Sequence, residues 1–209
     1  MSAKAEILSR IRNAEKLAGV PAEPREIPRN YKRSSDMSRD DLRELLIDRL
    51  VDYKADVVRT TTDEVPAKLA EVLADRGAKT VVYAPGLDSE LLSDADVTAT
   101  ADDVKSDPRA LDSVDAVLTA STVSCAQTGT ICLQAGAKDG RRALTLVPDH
   151  HIVLVHMDTV VYGIPETVSR LSPDTPITWI SGPSATSDIE LERVEGVHGP
   201  RDLIVFVID

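Results

Sequence analysis

Apolar residues recur along this chain in two rhythms. In Ala3–Leu17 they return every three or four positions, with Ile7, Leu8, Ile11 and Leu17 on one stripe, the spacing of an amphipathic helix that needs a covering surface. Residues 19–37 break the pattern with closely spaced prolines and charges, which predicts an extended arm. Ser38, followed by Asp40 and Asp41, predicts the capped start of a second helix reaching about Tyr53, because the hydroxyl accepts an orphan amide and the acids suit the positive helix end. From Ala55 the rhythm changes. Short β-branched runs at 56–58, 80–83, 116–119, 130–133, 152–155, 177–180 and 203–207 alternate with helical patterns at 63–76 and near 89–92. This alternation predicts an α/β fold with a mainly parallel central sheet and flanking helices, preceded by an N-terminal helical arm. Residues 121–155 hold several strands with little room for helices, so local antiparallel pairing is expected there. The arm is assigned to residues 1–37 and the α/β domain to 38–209.

Composition narrows the function. A chain of 209 residues with 42% hydrophobic content can bury one sizeable core. Its formal net charge of -11, with no basic run, argues against nucleic-acid binding and against anionic membrane surfaces. No apolar segment approaches a bilayer span and the first residues do not read as a signal peptide, so a cytoplasmic location is expected, without membrane insertion. Cys125 and Cys132 are the only thiols, too few for an all-cysteine cluster site in one chain, so no iron–sulfur cofactor is expected here.

Candidate chemistry lies in four stretches. The run from Gln127 through Thr128, Gly129 and Thr130 either presents amides and hydroxyls to a ligand or makes a tight turn. Residues 136–142 bring adjacent Arg141 and Arg142 after flexible glycines, a pair able to grip a carboxylate or phosphate, or to pair with surface acids. His150, His151 and His156 invite a metal hypothesis, but six positions of strand span roughly 20 Å and odd spacing turns two histidines to opposite faces. No metal site is assigned, and His150 or His151 is kept as a polar or acid–base group. The fourth stretch is Ser181 to Asp188, where a Gly-Pro turn feeds Ser184 and Thr186 into a predicted helix over 189–194. Those hydroxyls cap a helix, leave amides free for an anion, or do both. Gly196 to Pro200 then carries His198 towards the last strand.

Taken in order, Thr128-Gly129-Thr130, the run from Gly140 to His151, Ser181 to Ser184 with Thr186, Asp188, Ile189 and Glu190, and Gly196 to Pro200 resemble the LUD-domain family. The resemblance is dense from about Ser121 onward, and it extends more loosely to Ile7, Leu8, Ile11 and Arg12 and to Arg29-Asn30-Tyr31. It implies a sheet similar to that of CoA transferases and ribose-5-phosphate isomerase, and a part in oxidising L-lactate alongside partners with iron–sulfur and cysteine-rich motifs. A homo-oligomer is compatible with it. One departure stands out: Gln127 occupies a position where the family usually has glutamate, and an amide cannot act as a carboxylate nucleophile. The reading is therefore a non-redox component of a lactate-oxidising complex with a pocket for a small anion. Its proposed lining is Thr128, Gly129, Thr130, Arg141, Arg142, His150, Ser184, Thr186 and His198. The alternative is a stand-alone transferase or isomerase of small phosphorylated or acyl substrates, and no catalytic residue is assigned.

Overall fold

The computed structural model describes residues 2–21, 26–186, 194–196 and 198–209. The chain forms two compact units, Met1–Tyr31 and Lys32–Asp209. The first holds helix α1, Ala3–Leu17, capped by the Ser2 hydroxyl and burying none of its residues. The second opens with α2, Arg39–Asp52, where Ser38 accepts from the amide of Asp41 as its sequence predicts.

Next come β1 (Asp56–Thr60), α3 (Val65–Asp75), β2 (Thr80–Tyr83), β3 (Thr98–Ala101), β4 (Ala116–Ala120), β5 (Val123–Cys125), β6 (Thr130–Leu133) and β7 (His150–His156). They are followed by β8 (Val160–Val161), α4 (Ile164–Arg170), β9 (Thr178–Ile180), β10 (Ala185–Thr186), β11 (Val194–Glu195) and β12 (Asp202–Ile208). Six strands build one sheet in the order β1-β12-β7-β4-β2-β3, and every pairing in it is parallel. A second sheet runs β8-β5-β6-β9, antiparallel between β5 and β6 and between β6 and β9. The expected antiparallel pairing thus falls on β5 and β6, while β7 belongs to the parallel sheet.

Strand β12 explains why both faces of the main sheet are covered. Its alternate residues Ile204, Phe206 and Ile208 pack under Val65, Leu69 and Leu73 of α3. Leu203, Val205 and Val207 pack under Leu46 and Leu50 of α2 and under Ile131 and Leu133 of the second sheet. A strand buried on both sides must be apolar at every position, which is why 203–207 reads as a continuous run. The helix expected over 189–194 lies outside the described residues except for Val194. That residue stands in β11, paired antiparallel with Thr186 of β10, so the helical reading does not hold at its last position.

Candidate functional site

The turn after β9 is held against α2 by a close backbone approach. Gly182 has φ +84, and a Cβ there would stand 2.7 Å from the carbonyl oxygen of Tyr53, the residue that ends α2. Only glycine fits this conformation and this contact. Beyond it, the Ser184 amide donates to the Pro200 carbonyl at 2.8 Å, and the Ser184 hydroxyl accepts from the His198 amide at 3.0 Å. Ser184 therefore ties the 181–186 turn to the segment that enters β12, and its observed bond goes to a loop amide.

This turn, the 198–200 segment and the start of β12 enclose a cavity of about 190 Å³ whose lining includes Arg142, Thr145, His151, Ser181, Ser184 and His198. A second cavity of about 430 Å³ shares Arg142, Thr145, Thr178 and Trp179 with it. The turn follows the carboxyl end of β9 in the second sheet, and the cavity sits beside the amino-terminal ends of β7 and β12, represented in its lining by His151 and Leu203.

Arg142 and His151 give this cavity its chemistry. The Arg142 guanidinium donates only to a neutral acceptor, the Thr145 hydroxyl at 3.2 Å, and no carboxylate pairs with it among the described residues. The smaller cavity has no acidic residue in its described lining. His151 is fully buried and its Nε2 lies 2.8 Å from the Thr119 hydroxyl. Burial, reinforced by the positive charge of Arg142, pushes its pKa down to about 4, so the ring is neutral at pH 7. A lone guanidinium beside hydroxyls and a neutral imidazole suits a small carboxylate.

The remaining sequence candidates separate. Thr130 reaches the cavity indirectly, through a 2.9 Å hydroxyl contact to Ser181, and Thr128 meets Thr130 at 2.8 Å. Gly129, with φ +59, packs against Arg49 of α2. Arg141 points elsewhere: it grips Asp102 through Nε at 2.9 Å and Nη2 at 3.0 Å and also donates to Ser106. His150 lies on the opposite face of β7 from His151 and bonds Asp202 at 2.8 Å. Burial opposes ionisation of Asp202, but Arg76 and His150 together hold its carboxyl below the usual range. Thr186 is in β10. Gln127 is exposed, and its backbone N–H donates to the Tyr162 carbonyl.

Thr145 and Trp179 were missed. The signal for Thr145 was its spacing three residues after Arg142, and for Trp179 its place as the single tryptophan in a short strand. The two thiols are buried, and burial followed by the neighbouring Cys125 pushes Cys132 up to about 12. No thiolate forms there at neutral pH.

A parallel six-stranded sheet backed by a smaller sheet, with an Arg142-lined cavity beside them, defines an α/β domain. Residues 43–208 match the LUD domain family, and the chain belongs to it. It is 39% identical to lactate utilization protein C of Deinococcus radiodurans, over 99% of this chain and 95% of that protein. It is 30% identical to lactate utilization protein C of Macrococcus caseolyticus, over 83% of this chain and 80% of the relative. A crystal structure of a DUF162 family protein from Deinococcus radiodurans matches with a TM-score of 0.70 and 34% identity, over 83% of this chain and 99% of the other.

Proposed function

We propose that this protein serves lactate utilisation as a non-redox component, with a pocket for a small carboxylate centred on Arg142 and with iron–sulfur chemistry carried by partner proteins. The observation that carries the proposal is the Arg142 cavity, where a guanidinium without a carboxylate partner among the described residues faces a lining whose described residues include no acid, in a protein of net charge -11. The full-length similarity to relatives named lactate utilization protein C supports the lactate part of the reading. Buried Cys125 and Cys132, the latter protonated at neutral pH, support placing the clusters on other chains. In this reading residues 1–37 are the partner-facing arm, since Ile7, Leu8 and Ile11 of α1 are left unburied.

The test is growth on L-lactate of a bacterium lacking its own lactate utilization protein C. This chain restores growth, whereas Arg142→Ala, equally folded, does not. Calorimetric titration of L-lactate and pyruvate into both proteins shows heat only with the unsubstituted chain. Restored growth with Arg142→Ala would remove the pocket from the function, and lactate oxidation by the purified chain alone would remove the partners.

A further inference from the structure

The main sheet has a second opening, at its other end. β2 passes the chain to β3 at one edge, while β4 passes it towards β7 on the opposite side. Connections therefore leave the carboxyl ends of the neighbours β2 and β4 in opposite directions, and in open α/β sheets a ligand crevice forms at such a divergence. A cavity of about 530 Å³ lies there. It shares no residue with the Arg142 cavity.

Its floor is apolar, from Leu91, Leu154 and Ile208, and its rim carries Lys138, His156 and Asp158. The Lys138 backbone is fixed in place: its carbonyl accepts from Ala120 at the end of β4, and the preceding Ala137 carbonyl accepts from Gly86 after β2. All three rim side chains are exposed and have no side-chain partner among the described residues. The other acid in the lining, Asp88, is engaged by the amide of Glu90. The groups without partners thus comprise one ammonium, one carboxylate and one imidazole around an apolar floor.

We infer that this crevice binds a small zwitterion with an apolar body, of the α-amino acid class. Its carboxylate is taken by Lys138 and His156, its ammonium by Asp158, and its side chain by Leu91, Leu154 and Ile208. A simple anion satisfies Lys138 but leaves the Asp158 charge facing it. A dianionic phosphate is repelled by Asp158 and by Asp88 at the same rim. The crevice is large enough for such a ligand, since small-molecule sites start at roughly 300 Å³.

The experiment is calorimetric titration with three probes of one shape: L-leucine, 4-methylpentanoate, which lacks the ammonium, and 3-methylbutylamine, which lacks the carboxylate. L-leucine binds, and each truncated probe binds weaker by on the order of tenfold or more, the usual loss of a charge-assisted contact. Lys138→Ala weakens L-leucine and 4-methylpentanoate but not the amine, and Asp158→Asn weakens L-leucine and the amine but not the acid. The three titrations are repeated in the Arg142→Ala background, where carboxylate binding at the first pocket is removed, and the effects of Lys138→Ala and Asp158→Asn persist there. Both rim substitutions are at exposed positions, and unchanged thermal unfolding without probe verifies the fold. No L-leucine binding at millimolar concentration, equal binding of L-leucine and 4-methylpentanoate, or indifference to both rim substitutions overturns the inference.

Discussion

Arg141 and Arg142 are adjacent in the chain and stand in two different regions. Arg141 is mostly buried and closes on Asp102, whose side chain is only 2% exposed, and donates through Nη1 and Nη2 to Ser106. Arg142 faces a cavity and touches a threonine hydroxyl. The first arrangement is structural, because a buried carboxylate needs its counter-charge. The second leaves guanidinium donors without a carboxylate partner among the described residues. Equal residue types therefore differ in role according to whether the fold provides their partner.

Substitution sharpens this division, beginning with the largest effect on stability. Arg141→Ala strands the Asp102 carboxylate in the interior and costs about 3 to 5 kcal/mol, the usual penalty for breaking a buried pair. Chemical denaturation measures it, and a loss below about 1 kcal/mol would place Arg141 with Arg142 instead.

Acidification probes the cavity floor. In the folded protein His151 stays neutral down to about pH 4, while in the unfolded chain the ring takes up its proton near its ordinary value of about 6.5. Its stabilising contribution is therefore intact above about pH 6.5 and falls as pH drops towards 4, by roughly 3 kcal/mol in total. Denaturation series at stepped pH show this slope, and His151→Leu flattens that part of it. An unchanged slope in the variant would assign the acid sensitivity to other groups.

Ser184→Ala removes the acceptor of the His198 amide and costs about 1 kcal/mol. The smallest change in stability belongs to Arg142→Ala, within about 0.5 kcal/mol, as at an exposed position whose only described side-chain partner is one neutral hydroxyl. Its effect appears in binding, where titration of a small carboxylate loses about 1.5 to 3 kcal/mol. If Arg142→Ala destabilised as much as Arg141→Ala, the contrast between the two regions would vanish.

Much of the fold was legible because its signals are local. The α2 cap at Ser38, the continuous apolar run of β12 and the alternation of runs with helical patterns each depend on a few neighbouring residues. The short strands β3 and β8 escaped notice, since four and two residues carry little periodicity. The site was half legible. Arg142, Ser184 and His198 do converge on one cavity, but nothing in their spacing distinguished them from Arg141, His150 and Thr128.

By itself the sequence determined the α/β class, the boundaries of the strongly patterned elements, the acidic surface and the motifs that mark the family, because each is written in composition or short-range pattern. Only the tertiary structure decided which arginine has no carboxylate partner among the described residues, which histidine is buried and neutral, and at which end of the sheet each cavity opens. Those outcomes depend on contacts across long separations, such as Arg141 with Asp102 and Thr119 with His151, and burial and pairing there set the charge of each group.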